Sequence, residues 1–276
     1  MRSAAFLLAA ALATPVWAVS TVNLGFDGGA GGAADTGFDG VYGLNGAGLT
    51  LAGGRLTLQT LPGDTFGQYE NDPDSAANMF YSNLDAFDQT TVEARVRVSQ
   101  LNDNFHGGGI WMGTDQDHYI RLGVFHNSFE GGVAIEALRE NQDYWPGNTP
   151  PGPGNDINGR VIPNIAASPQ TSPLDVILRL VRDGGTAQAF VSLDDGATFQ
   201  QVGGTGFTFD GIVTGPGQGP NGGPSIEGGF KVGVYAVGGG DPVGLFAFDQ
   251  FTANSVPEPG MLSLAALAGL ALRRRR

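Results

Sequence analysis

Two glutamates, Glu93 and Glu136, fall at polar positions of segments in which apolar residues alternate with polar ones. Cleavage of a glycosidic bond needs two such carboxylates, an acid and a base or nucleophile, roughly 5–9.5 Å apart. The competing use of both is to pair with Arg95, Arg97 or Arg121 across an exposed face. A second set is cationic and phenolic: Arg95, Arg97, Arg121, Arg179 and Lys231 hold polar positions, with Tyr119 and Tyr235 at matching parity. Tyrosine or histidine can remove a proton beside a uronate carboxylate that arginine neutralises, which is the chemistry of a polysaccharide lyase. His118 counts against that use, because it shares the parity of Ile120 and Leu122 and so points to the core or a strand end. A third set is binding chemistry. Trp111, Tyr119, Tyr144 and Trp145, with Arg121 beside them, could stack on the apolar C–H faces of sugars; ordinary sheet packing is the alternative for the first two rings and loop anchoring for the last two.

Other chemistries are excluded. The chain holds no cysteine, so disulfides, Cys-ligated zinc, iron–sulfur clusters and thiol nucleophiles are ruled out. There is no Gly-x-Ser-x-Gly elbow, no phosphate-binding loop ahead of a helix and no His-Glu-x-x-His. A formal charge of −13 makes nucleic acid an unsuitable partner.

The elements that must position these groups read as strands throughout. Val92, Ala94, Val96 and Val98 alternate with Thr91, Glu93, Arg95 and Arg97, and similar alternation covers residues 55–61, 119–125, 133–137, 174–180, 187–193, 230–235 and 246–249. No stretch keeps a 3.6-residue period for three turns. The 46 glycines and 16 prolines among 276 residues supply many turns. Clean alternation implies sheets with one buried and one exposed face, and therefore an all-β, two-sheet antiparallel sandwich of jelly-roll type. Residues 27–54 promise only short strands near Val41-Tyr42 and 49–51, and residues 141–173 carry no periodic segment and read as a long loop.

Both ends read as addresses. Arg2, an apolar run at 4–13 and Val16-Trp17-Ala18 describe a secretory signal cut after Ala18. At the other end Pro257-Glu258-Pro259 precedes an apolar run at 261–272 and then Arg273, Arg274, Arg275 and Arg276. Twelve helical residues rise about 18 Å, short of the roughly 30 Å hydrocarbon core, so the run makes a poor permanent anchor. Motif, short membrane segment and arginine cluster together resemble the PEP-CTERM sorting signal of Gram-negative bacteria. The resemblance implies export, transient retention in the inner membrane, processing by an exosortase and release to the cell surface or outside, often in company with extracellular polysaccharide. The chain then divides into residues 1–18, 19–255 and 256–276. The middle part keeps 9 basic and 26 acidic groups, a formal −17.

From 85 to 253 the order of segments resembles the concanavalin A-like domain at the C-terminus of family 43 β-xylosidases. The residues that carry it are Val92-Glu93-Ala94-Arg95-Val96, Gly109-Ile110-Trp111, residues 119–124, Leu178-Arg179-Leu180, residues 192–199, Lys231-Val232-Gly233-Val234 and Phe248-Asp249-Gln250-Phe251. It implies a concave sheet in a carbohydrate setting, usually without catalysis of its own; the segment 141–173 departs from the pattern as an insertion. Residues 192–199 also match an Asp-box, Ser-x-Asp-x-Gly-x-Thr-aromatic, physically a hairpin turn. Family 16 glucanases share this type of fold, but their Glu-x-Asp-x-x-Glu strand is missing here. In a jelly roll the first and last strands usually run side by side, which would bring Asp27 near Asp249; many concanavalin A-like domains carry a structural calcium in a comparable place, and further oxygen ligands occur at Asp35, Asp39, Glu70 to Asp74, Asp115 and Asp117. The bland alternative is that these acids solvate turns. Three functions remain open: a noncatalytic carbohydrate-associated module, a jelly-roll lyase or glycosidase, and a structural matrix component.

Overall fold

The computed structural model describes residues 19–28, 31–62, 77–84, 89–103, 106–115, 118–127, 131–141, 160–208, 230–238 and 243–256. Ala18 and the signal segment, the rings Tyr144 and Trp145, and the tail with Pro257, Glu258, Pro259 and Arg273 to Arg276 lie outside them. Among the described residues no helix is long and apolar enough to cross a membrane, and the apolar run at 261–272 is not among them.

The described strands are β1 (Ser20–Leu24), β2 (Gly40–Tyr42), β3 (Leu49–Ala52), β4 (Arg55–Gln59) and β5 (Met79–Leu84). They continue with β6 (Gln89–Ser99), β7 (Gly107–Gly113), β8 (His118–Asn127), β9 (Gly132–Asn141) and β10 (Arg160–Ala167). The last are β11 (Leu174–Asp183), β12 (Thr186–Ser192), β13 (Gln200–Thr208), β14 (Phe230–Val237) and β15 (Leu245–Val256). They form two sheets. The first has eight strands in the order β13-β12-β11-β6-β15-β4-β3, with β1 added on β15, and the second has seven in the order β10-β9-β8-β7-β14-β5-β2. Every recorded pairing is antiparallel, from β1 on β15 to β8 on β9. The architecture is the all-β jelly-roll sandwich expected from the alternation.

Strand β15 holds the first sheet together. It pairs with β6 along its length on one side, and on the other with β4 up to Phe248 and with β1 from Phe251. The register shifts between Phe248 and Gln250, so Asp249 sits at the changeover, as a bulge allows. First and last strands do run side by side.

The core follows from period two. Val92, Ala94, Val96 and Val98 of β6, Val176, Leu178 and Leu180 of β11, and Phe246, Phe248 and Phe251 of β15 face Ile110, Met112, Ile120, Leu122, Val232 and Val234 of the second sheet. Burying each of the larger side chains contributes about 1.5–3 kcal/mol before entropy is charged. Phe38 closes the sandwich among three rings, with centroids 5.2 Å from Phe251, 5.6 Å from Phe80 and 6.1 Å from Phe26.

Two sequence expectations need correction. The segment 141–173 is not loop throughout: β10 pairs with β9 at the edge of the second sheet. Its register shifts twice, between Arg160 and Ile162 and between Ile162 and Ala166, and Pro163 lies inside it. Bulges scramble alternation, and proline is accepted on an edge strand because its missing N–H faces no partner. The second correction is that the middle of the second sheet is buried on its outer side as well, while residues toward its β5 edge such as Tyr81 and Asn83 reach solvent. Every residue of β7 is buried, and a strand buried on both faces shows no alternation.

Candidate functional site

The outer face of the second sheet carries the largest gathering of functional side chains. Register fixes its rows. Tyr81, Gly233, Trp111, Arg121 and Leu138 lie across one row; Tyr235, Gly109, Gly123 and Glu136 across the next; Asn83, Lys231, Gly113 and Tyr119 across a third. Glycines alternate with rings because the rings lie flat on the sheet. A Cβ at Gly107 would run into the Phe125 ring, one at Gly123 into the Tyr235 hydroxyl and the Gly108 carbonyl, and one at Gly233 into the Phe80 carbonyl and the Trp111 indole nitrogen. The freed space lets Trp111 Nε1 donate to the Phe80 carbonyl at 3.0 Å, which satisfies the one polar atom of a fully buried indole.

Charge is set into this face. Arg121, 5% exposed, donates through Nη2 to Glu136 Oε1 at 3.3 Å. Its guanidinium lies 4.8 Å from the Phe125 ring centroid and 5.8 Å from that of Tyr235. A buried guanidinium is retained only with such company, because desolvation costs several kcal/mol per ion. Lys231 donates Nζ to the Thr114 carbonyl at 2.8 Å and lies 5.5 Å from the Tyr81 ring centroid. Burial lowers its pKa, and the nearby Asp115 charge opposes that shift.

The structure also adds rings that the sequence reading missed. Tyr42 and Tyr81, both half-buried, stack at 4.9 Å between centroids, and Tyr42 lies 6.4 Å from Trp111. Beside them Asp39 Oδ2 accepts from the Asn83 backbone amide at 2.7 Å and from its side-chain amide at 3.1 Å. Tyr81 sits at an outward position of β5, but β2 has only three residues and β5 places polar Ser82 inward and apolar Met79 outward, so neither shows alternation. The aromatics of this face therefore grade from fully buried Trp111, Tyr119 and Tyr235 to accessible Tyr42 and Tyr81.

The expected residues fare unequally. The pairing of β7 with β8 puts Trp111, Tyr119 and Arg121 on one face, but they are buried and not the open stacking platform the sequence suggested. They pack with Met79, Phe125, Leu138, Tyr235 and Val237 in a second apolar cluster. Glu93 and Glu136 cannot act as a carboxylate pair. Glu93 lies on the outer face of the first sheet, where it accepts from Arg179 at 2.6 Å, and Glu136 lies on the opposite outer face. Stacked sheets sit about 10 Å apart and these side chains point away from one another, so the gap exceeds the roughly 9.5 Å limit. The five basic residues divide the same way: Arg95, Arg97 and Arg179 on the first sheet, Arg121 and Lys231 on the second.

The Asp-box behaves as a turn. Thr198 donates its backbone N–H to Asp194 Oδ1 at 2.8 Å and its hydroxyl to Oδ2 at 2.6 Å, while Ser192 Oγ donates to Oδ1 at 2.8 Å and accepts from the Gly196 amide at 2.8 Å. The Thr198 hydroxyl and amide bonds, with that from Ser192, lower the Asp194 pKa from 3.8 to about 2. Asp195 and Gly196 take positive φ, 61° and 87°, which turns the chain back into β13.

Of the two acids expected to share a calcium, Asp249 is engaged by a guanidinium. The β1–β15 pairing carries Asp27 toward Gly54, and Arg55 beside it is ion-paired with Asp249. The hydrogen bond to Asp249 and its charge raise the Arg55 pKa. A guanidinium thus occupies the carboxylate that the metal would need, and no three histidine or acidic side chains converge among the described residues.

No protein-family model matches the chain, and no curated protein matches it. Solved structures do. A variant of the GH43 protein BlXynB from Bacillus licheniformis superposes with a TM-score of 0.59 at 15% identity, covering 85% of this chain and 39% of that one. A xylan beta-1,4-xylosidase from Bacillus halodurans gives a TM-score of 0.54 at 14% identity, over 76% and 34%. An engineered GH43 glycoside hydrolase with endo-xylanase and exo-arabinofuranosidase activity gives 0.54 at 17%, over 84% and 40%. This chain spans two fifths or less of the length of each of these proteins. At such identities what is shared is architecture, and the chain has the concanavalin A-like jelly-roll fold found within these GH43 proteins.

Proposed function

We propose that this is an exported, noncatalytic carbohydrate-associated module that meets polysaccharide with the outer face of its second sheet. The observation that carries the reading is the graded aromatic face itself, Tyr42 and Tyr81 half-buried at its edge, Trp111, Tyr119 and Tyr235 buried behind them, with Lys231 and Glu136 as partly exposed polar points. Flat rings beside a few oriented charged groups suit the C–H faces and hydroxyls of sugars. Similarity to GH43 structures supports a carbohydrate setting. The wide separation of Glu93 and Glu136 removes that pair as a glycosidase acid and base.

Export is proposed from the ends: signal cleavage after Ala18, then recognition of Pro257-Glu258-Pro259 by an exosortase while the run at 261–272 is held in the inner membrane and the four arginines stay inside. Release then leaves the module at the cell surface or in the matrix. A lyase is the second reading, favoured by Tyr119, Tyr235 and Arg121 sharing one face. A panel of neutral and acidic polysaccharides, scored for retention on affinity gels and for new unsaturated-uronate absorbance, tests both. Binding without absorbance, weakened by Tyr81→Ala, is expected; absorbance lost in Tyr235→Phe would move the reading to the lyase, and neither signal would leave a structural component.

A further inference from the structure

On the other side of the sandwich a cleft of about 380 Å³ opens between the Asp-box turn and strands β6 and β11, lined by Arg95, Asp175, Ile177, Leu193, Asp194 and Asp195 among others. We propose that this cleft is a second saccharide site, one that takes a neutral, hydroxyl-rich sugar unit. The inference rests on the carbohydrate reading above only for its ligand class, since the cleft shares no residue with the face of the second sheet.

Its size falls at the lower end of the roughly 300–1,000 Å³ of small-molecule sites, enough for a small unit and not for a long segment. Its wall is rigid before any ligand arrives. The hydrogen bonds that converge on Asp194 and Ser192 hold the turn, so Leu193 and Asp195 project from a fixed frame. Binding then costs little ordering entropy, which is the usual expense of loop-built sites. Leu193 is 48% exposed on this frame. Scattered exposed leucines need no explanation, but this one lines a cleft beside Ile177 and offers an apolar surface for the C–H face of a sugar ring.

The polar lining selects against acids. Arg95 is set against Asp175, Asp194 and Asp195, which disfavours a uronate. Of these, Asp194 is committed to the turn. Arg95 pairs with Asp195, and Asp175 with Arg97 at 3.6 Å, and in both pairs the side chains are well exposed. Exposed pairs of this kind are worth little, about 0–1 kcal/mol, so their free donors and acceptors can turn to a ligand without loss. A guanidinium fork flanked by carboxylates presents donors and acceptors side by side, the complement of adjacent hydroxyls that each donate and accept. With one site on each outer face, a single module can hold two polysaccharide strands and gain avidity on a cross-linked matrix.

The test is a methyl-resonance titration of the full-length protein with neutral xylo-, manno- and cello-oligosaccharides and with an oligouronate. The Leu193 methyls are expected to shift with at least one neutral oligosaccharide and not with the oligouronate. Arg95→Ala should weaken that titration about tenfold, Leu193→Ala should weaken it as much when it is followed on the Ile177 methyl that also lines the cleft, and Tyr81→Ala should leave it unchanged. Loss of neutral-sugar binding in Tyr81→Ala alone would overturn the cleft and leave the second-sheet face standing. Leu193 shifts that persist while Tyr81→Ala changes no polysaccharide binding would instead overturn the second-sheet reading. Leu193 resonances unmoved by every neutral oligosaccharide, or moved by the oligouronate, overturn the inference.

Discussion

Removing the carboxylate of Glu136 while leaving Arg121 should be among the most damaging single changes on the second sheet. The two side chains are 14% and 7% exposed and 3.3 Å apart. Breaking one partner of a buried pair typically costs about 3–5 kcal/mol, because the surviving charge stays desolvated. For a domain of this size each kcal/mol moves the melting temperature by roughly 2–4 °C, so Glu136→Leu should melt about 6–20 °C lower. The double variant Arg121→Met/Glu136→Leu removes both charges and sets a thioether against Phe125 and Tyr235. It should return to within about 1 kcal/mol of the parent or exceed it, since apolar replacement of a buried pair is often neutral or stabilising. Urea unfolding of the parent, both single variants and the double variant gives the coupling energy directly. A loss below about 1 kcal/mol for Glu136→Leu would mean that the pair behaves as a hydrated surface pair, and the account of a buried charged face would be wrong. If the face binds polysaccharide, the double variant should keep its stability and lose retention on affinity gels.

Other consequences can be checked separately. Asp194 has a folded pKa of about 2 against 3.8 in the unfolded chain, so its contribution is complete above pH 3.8 and is lost as pH falls toward 2. Asp194→Asn should therefore flatten the decline in urea midpoint over that window, and an unchanged slope would contradict the turn geometry. His126, which is hydrogen-bonded to Ser168 Oγ at 3.0 Å, has its pKa lowered by burial and, secondarily, by His106, with Asp103 opposing. The unfolded state then binds its proton first, so stability should fall as pH drops below 6.5, and His126→Asn should reduce that fall in a pH series of melting curves. Gly123→Ala forces a methyl against the Gly108 carbonyl and the Tyr235 hydroxyl and should cost about 1–3 kcal/mol in urea titration; Gly131→Ala, with open space around it but φ of 68°, isolates the backbone part. If any of the acidic loops holds a structural calcium, EGTA should lower the melting temperature, because an ion bound only by the folded state stabilises it; an unchanged transition would remove the calcium reading, as the Arg55 pairing of Asp249 already does for that carboxylate.

How much of this was legible depended on which side of a strand is wet. Strand β6 was readable because its core positions Val92 to Val98 alternate with Glu93, Arg95 and Arg97 on a solvated face. Strand β7 was not, because Gly108, Ile110 and Met112 meet the core while Gly109, Trp111 and Gly113 meet a second buried layer, and burial on both sides erases the period. Strand β10 was hidden by its bulges and Pro163. Tyr119 and Arg121 could be assigned to one side of β8 by parity, but that Trp111 joins them follows only from the pairing of β7 with β8, and nothing local says that they are covered. Tyr42 comes from a three-residue strand and Tyr81 from one whose alternation is broken by inward Ser82 and outward Met79, and they meet only because β2 pairs with β5.

Composition and period two by themselves determined that the chain is a β-sandwich without cysteine chemistry, that its surface is acidic, and that Glu93 and Glu136 point outward. Only the tertiary structure decided that they point outward on opposite sheets, that Arg121 is buried against Glu136, and that Arg55 engages Asp249. The physical reason is range. Alternation is imposed residue by residue by the pleat, whereas sheet membership and burial depend on pairings between strands far apart in the chain, and those are chosen by the summed burial of the whole core.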